Sequence, residues 1–249
     1  MRYDTRRRYG STFRSSLPSG VKWLLIANFA VFAANFIAGR VGFGGLFVPL
    51  MLWPNQVVHS LAIWQLVTYL FLHSTTDPLH ILFNMLALWM FGAEIERTWG
   101  TRKFLKYYFI CGIGAGVCVV LISVLVGAGA SPTIGASGAI YGLLLAFGLL
   151  FPDAIVFFLV FPMKAKYLVI IMGALAFFFS IRGGNGNVSN VAHLGGLLVG
   201  FLYMRFGIRG FRPTVSLHQR YDQWKLDRAK RKFQVYLKKH GSNKEPWVH

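Results

Sequence analysis

The sequence predicts an all-α fold: a polytopic membrane bundle of six transmembrane helices. Three observations carry the prediction. First, 55% of the 249 residues are hydrophobic and only 14% are charged, whereas soluble domains carry about 25% charged residues. Second, the apolar residues gather into six runs near the length that spans a bilayer, at 21–38, 79–95, 104–127, 136–151, 165–181 and 190–206. Third, positive charge sorts into alternate connections. Six Lys or Arg precede or open the first run, four lie around 97–106, two at 164–166 and twelve from Arg205 onward. Only Arg40 and Arg182 lie elsewhere. The positive-inside rule makes the rich side cytoplasmic, so both termini are expected inside, as an even number of spans requires.

Residues 1–20 are basic and polar and show no short apolar region ending in a small-residue cleavage site. The first run, which opens the membrane domain 21–206, is therefore expected to stay as an anchor. Residues 39–78 are too rich in Gly, Pro and polar groups to span, yet they hold Phe43, Phe47, Trp53, Trp64, Tyr69 and Phe71. Such a long first loop is expected to fold as short helices at the membrane interface, where amphipathic aromatics are favoured. Residues 207–249 form a basic cytoplasmic tail. Within it, 221–240 fits either an amphipathic helix on anionic headgroups or a solvated charged helix.

The net charge of +18 would fit a nucleic-acid footprint if it formed one patch. Its position at chain ends and in alternate loops is a matter of topology instead, so no nucleic-acid partner is expected. Cys111 and Cys118 lie seven apart in one apolar run. At ~1.5 Å rise per residue they are about 10 Å apart along a helix, too far for a disulfide, and read as packing residues.

The inferred orientation makes the second, fourth and sixth helices enter from the outer face. His80 and Asn84 open the second, Ser137 the fourth and His193 the sixth. From Ser137 to Phe151 is about 21 Å of helix, and from His193 to Arg205 about 18 Å. Against a hydrocarbon core of ~30 Å, these groups fall roughly 10 Å below the outer edge. The fourth helix is too short to cross alone, so 131–135 must dip in as non-helical backbone. That is tolerated only beside protein or a water-filled cavity.

An ionisable side chain at that depth needs a partner or a cavity. A serine hydroxyl is a poor nucleophile until a base takes its proton, and His193 is the intramembrane histidine placed to do so for Ser137. No carboxylate accompanies them within a span, so a dyad is expected rather than a triad. Gly138-xxx-Gly142 and Gly196-xxx-Gly200 follow the two residues, and small-xxx-small patterns let membrane helices approach closely. Tyr141 stands one turn after Ser137 and fits either a core aromatic or a ring packed on the imidazole. His80 and Asn84 share one helix face, and with the backbone N–H of Ser137 they can supply oxyanion donors. There is no H-E-x-x-H helix, intramembrane carboxylate or ligating Cys pair, so no metal or cofactor is expected. His59 and His73 read as interfacial, and Asp77 before Pro78 as a helix cap.

With these residues in view, the chain resembles the rhomboid family of intramembrane serine proteases, in the compact six-helix bacterial form. The resemblance rests on Gly135-Ala136-Ser137-Gly138 with Tyr141, on Ala192-His193-Leu194-Gly195-Gly196 continuing to Gly200, and on His80-Ile81-Leu82-Phe83-Asn84 with Glu96 twelve residues on. Many members carry Trp-Arg in the first loop, where this chain has Trp64-Gln65. The resemblance implies Ser137 as nucleophile, His193 as general base, and His80 and Asn84 as oxyanion stabilisers. It implies membrane-anchored substrates cut near the outer end of their transmembrane segments, in a bacterial inner membrane. The loop 182–188, rich in Gly and Asn, is expected to cap the site. The alternative is a non-proteolytic relative that binds membrane clients and has no need of both Ser137 and His193.

Overall fold

A computed structural model describes residues 16–127, 131–158, 161–182 and 188–207. The expectations for 1–15, for a tail helix over 221–240 and for the centre of the 182–188 cap fall outside these residues.

Helix α1 (Ser19–Arg40) starts directly after Pro18. A helix start leaves backbone N–H groups without intrahelical partners, and here a distant carboxylate takes two of them. Glu96 accepts from Gly20 N–H at 2.8 Å and Val21 N–H at 2.7 Å, and Thr101 Oγ1 donates to it at 2.6 Å. A Cβ on Gly20 would stand 3.0 Å from the Glu96 oxygens, so glycine keeps the contact open. The negative charge also suits the helix N-terminus.

The first loop is a chain of short turns, as its composition predicts. A 3-10 turn (Gly44–Leu50) leads to α2 (Pro54–His59), then α3 (Gln65–Thr68) and a second 3-10 turn (Tyr69–Phe71). Gln65 is fully buried. Its Oε1 accepts from Trp53 N–H at 2.9 Å, and its Nε2 donates to Pro49 O at 3.2 Å and to Gln56 Oε1 at 2.7 Å. Thr68 Oγ1 donates to Leu50 O at 2.7 Å. The neutral amide thus ties two backbone groups, at Pro49 and Trp53, to the side chain of Gln56.

Helix α4 (Pro78–Ala87) is capped by Asp77, which accepts from Leu79 N–H at 3.1 Å. It runs through a π turn (Leu88–Gly92) into α5 (Ala93–Trp99). Gly100, at φ +80°, breaks the chain into α6 (Thr101–Val126). Helix α7 (Ser137–Leu150) follows, then α8 (Ala165–Arg182) and α9 (Val188–Leu202), which ends in a π turn (Tyr203–Gly207). Outside the first loop, the helical stretches α1, α4–α5, α6, α7, α8 and α9 overlap the six apolar runs of the sequence. Ser19–Arg40, Pro78–Trp99 and Thr101–Val126 are long and apolar enough to cross a membrane, while Ser137–Leu150 and Ala165–Ile181 are shorter apolar helices.

One element corrects the all-α expectation. Strands β1 (Ile155–Phe158) and β2 (Phe161–Lys164) pair as an antiparallel hairpin between α7 and α8. Pro152 and Pro162 interrupt helical hydrogen bonding, and the β-branched and aromatic run between them suits extended backbone. Asp153 pins the hairpin base through Lys166 Nζ at 2.8 Å and Lys164 Nζ at 3.2 Å.

Helices α6, α7 and α9 form the centre of the bundle, each packed against the other two. Small residues allow it. A Cβ on Gly142 would meet Cys111 Sγ and, at 3.3 Å, the Gly196 carbonyl; one on Gly138 would meet Ala115 Cβ at 2.6 Å and the Ala192 carbonyl at 3.3 Å. A Cβ on Gly196 would overlap the Gly138 carbonyl. Tyr107 on α6 donates to Gly142 O at 2.8 Å, tying the third member of this trio. Cys111 and Cys118 are both free thiols, packed on Gly142 and Gly195 respectively.

Candidate active site

The segment before α7 is non-helical, and the first loop holds it in place. Leu52 and Thr133 exchange backbone hydrogen bonds, Leu52 N–H to Thr133 O at 3.0 Å and Thr133 N–H to Leu52 O at 2.9 Å. Two residues on, Gly135 N–H donates to Tyr69 O at 2.9 Å. Gly135 has φ +118°, a backbone that L side chains rarely adopt. The chain turns there and delivers Ser137 as the first residue of α7. The N–H of Ser137 precedes the first intrahelical bond, made by Ile140 N–H to Ala136 O, and is free of an intrahelical partner.

Ser137 Oγ lies 2.8 Å from His193 Nε2. The α7–α9 glycine contact brings them together, because Ser137, next to Gly138, and His193, one turn before Gly196, converge only if the two backbones nearly touch. Tyr141, one turn along α7, stacks on the His193 ring with centroids 4.2 Å apart and planes 4° from parallel. That contact holds the imidazole flat against α7 and leaves its edge toward Ser137. Ser137, Tyr141, His193 and His80 are all half-buried, so the site is lined by protein and still reachable.

His80 faces the same point from α4. Ser74 N–H donates to His80 Nδ1 at 3.3 Å, which makes Nδ1 the acceptor nitrogen and places the ring proton on Nε2. A Cβ on Gly135 would stand 2.8 Å from that Nε2. The Nε2–H therefore occupies the space glycine leaves, directly before the serine. Asn84 is buried and donates one Nδ2–H to His80 O at 2.7 Å. Its second N–H remains for another acceptor, and its Oδ1 is buried without a partner.

His73 departs from its expected interfacial place. It is 1% exposed, and its ring centroid lies 5.1 Å from that of His80. Among the described residues neither ring nitrogen has a partner at full hydrogen-bond geometry. Burial, and then the neighbouring His80, lower its pKa to about 4. His59 is exposed at the end of α2. Among the described residues, no three His, Cys, Asp or Glu side chains gather as a metal site requires.

Sequence reading missed Leu52, Tyr69 and Thr133, which act through backbone groups and carry no side-chain signature. It also missed Ala115, whose small size admits α7. The one available signal was its place in the small-residue series Gly112, Ala115, Gly116 of α6.

Fold and site together define a helical membrane protein with a hydrogen-bonded serine–histidine pair enclosed between two close-packed helices. The rhomboid domain family profile matches residues 60–210, more than half of the chain, and the chain belongs to the rhomboid family. It is 35% identical over 147 residues to the rhomboid protease GluP of Bacillus subtilis, a match covering 59% of this chain and 26% of that protein. It is 33% identical over 148 residues to RHOMBOID-like protein 1 of Arabidopsis thaliana, covering 59% and 35%. To the rhomboid protease GlpG of Yersinia pseudotuberculosis it is 27% identical over 211 residues, covering 85% and 70%. The chain thus spans about a quarter to a third of the first two relatives.

Proposed function

We propose that this protein is an intramembrane serine endopeptidase that cuts membrane-anchored proteins near the outer end of their transmembrane segments. The observation that carries the reading is the 2.8 Å contact between Ser137 Oγ and His193 Nε2, with Tyr141 stacked behind the imidazole. In this reading six helical stretches span the bilayer, both termini are cytoplasmic, and the site opens toward the outer face.

The chemistry follows from the donors. Ser137 Oγ attacks the scissile carbonyl carbon while His193 Nε2 takes its proton, which requires the resting His193 proton to sit on Nδ1. The carbonyl oxygen gains the negative charge. His80 Nε2–H, the free Nδ2–H of Asn84 and the Ser137 N–H are the donors available to hold it. The C–N bond then breaks, His193 passes its proton to the departing amine, and an ester on Ser137 remains. Water, activated by His193, attacks that ester; the new carboxylic acid leaves and Ser137 recovers its proton. Glycine at 135 serves twice, supplying the turn and the room for the His80 donor.

The test is cleavage of a membrane-anchored reporter together with fluorophosphonate labelling. Ser137→Ala is expected to abolish both while the protein still accumulates in the membrane. His193→Ala is expected to reduce each by at least about 10³-fold, the scale for loss of a general base. A well-folded protein that the probe does not label at Ser137 would instead support a non-proteolytic client-binding role.

A further inference from the structure

The β1–β2 hairpin has no part in the chemistry, and its exposed side chains are unusual. Ile155, Phe157 and Phe161 are 62%, 63% and 66% exposed, although Val156, between the first two, is buried against the core. In the strand register Val156 pairs with Met163 on the inner face, and Phe161, two residues before Met163, shares that parity at the tip; Phe157 pairs with Pro162 and Ile155 with Lys164 on the outer face. The hairpin is thus apolar toward the tip, where Phe157 and Phe161 are exposed on its two sides, and basic at the base. At the base Lys164 and Lys166 share the single carboxylate of Asp153, leaving one positive charge in excess. Lys166 Nζ also lies 5.3 Å from the ring of the half-exposed Tyr167.

This gradient identifies its surroundings. A contiguous exposed patch of large apolar side chains marks a partner or a membrane. The two helices that flank the hairpin, α7 and α8, are themselves apolar. The hydrocarbon centre is excluded, because a two-stranded hairpin has unpaired edge N–H and C=O groups that lipid tails cannot satisfy. The headgroup boundary meets all the requirements: acyl chains for Phe157 and Phe161, water for the edges, and anionic phosphate for the lysines. Tyrosine beside lysine is also the pairing favoured at that level.

We propose that the hairpin is an interfacial membrane anchor. It seats its apolar tip at the acyl–headgroup boundary and its lysine base among anionic phospholipid headgroups, at the end of α7 opposite Ser137. It rests on the membrane-spanning reading of the chain and not on its proteolytic activity. Backbone bonds make the attachment firm: Ala165 N–H donates to Ala154 O at 2.9 Å and Lys166 N–H to Pro152 O at 3.2 Å. Helix α7 is 14 residues long, a rod of about 21 Å. An anchor at one end therefore sets the depth of Ser137 at the other.

The experiment is a depth measurement on Phe157→Cys and Phe161→Cys proteins carrying nitroxide labels, in vesicles of phosphatidylcholine with and without phosphatidylglycerol. Fluorophosphonate labelling in detergent checks separately that each variant is folded. The anchor predicts collision of the label with oxygen and shielding from an aqueous nickel chelate. Free access to nickel would overturn it, as would shielding from both reagents, which would mean that protein covers the patch. Lys164→Gln/Lys166→Gln protein is expected to lose the deepening caused by phosphatidylglycerol. An unchanged response in that variant would overturn the anionic-lipid component.

Discussion

At position 135 a single hydrogen atom in place of a side chain serves two geometries. The backbone there is left-handed at φ +118°, and His80 Nε2 fills the volume a methyl group would need. Gly135→Ala is therefore expected to slow fluorophosphonate labelling of Ser137 by at least about 10²-fold, the scale for loss of one oxyanion donor, while the protein stays folded. Tyr141 offers a contrasting case. Its contact with His193 is a parallel stack of rings, so Tyr141→Phe should retain most reporter cleavage and Tyr141→Ala should lose most of it. A large loss in the phenylalanine variant would show that the hydroxyl, and not the ring, is the contributing group.

Among the elements, the α7–α9 contact depends on glycines that face each other's backbone. A methyl group at Gly196 would overlap the Gly138 carbonyl, and overpacking of this kind costs about 1–3 kcal/mol. Gly196→Ala should lower the thermal midpoint and, by parting the helices, weaken Ser137 labelling more than stability alone explains. Sequence patterning made this contact visible, because small residues four apart have few other uses on a membrane helix. The hairpin was hidden for the opposite reason: a short apolar run between prolines has the same hydropathy as a helix end. Glu96 was visible as a polar residue at a helix end. That it closes the start of α1, some 75 residues earlier in the chain, is a tertiary fact with no local signal. Glu96→Ala should destabilise the protein by about 2–3 kcal/mol, the range for hydrogen bonds to a buried charged group, measured by thermal unfolding in detergent.

For the whole molecule, pH acts on stability through His73. The pKa of its imidazole falls from 6.5 to about 4 on folding, so the folded state favours the neutral ring. The associated stability is complete above pH 6.5. It declines as pH falls from there toward about 4, where the folded form also takes up the proton. The full window corresponds to on the order of 3 kcal/mol. His73→Asn protein should therefore show a flatter decline of thermal midpoint over this window than the parent. No local signal in the sequence announces this behaviour. Six residues separate His73 from His80, and nothing in their identities shows that the intervening loop folds back to bury the first ring against the second. By contrast, the meeting of Ser137 and His193, with His80 beside Gly135, is legible, because each residue opens an apolar helix and alternate helices in a bundle start at the same end.

The two-point attachment of the first loop to the serine approach has an engineering consequence. Leu52 grips Thr133, Tyr69 grips Gly135, and the chain between Leu52 and Tyr69 is folded around the amide of Gln65. These bonds close a non-covalent ring that contains the turn just before the nucleophile. Insertions or deletions within that ring would retune the oxyanion site from a distance, whereas changes before Gly44 would leave the circumference untouched. A designer has freedom on the outer rim of the loop and none in its contour length.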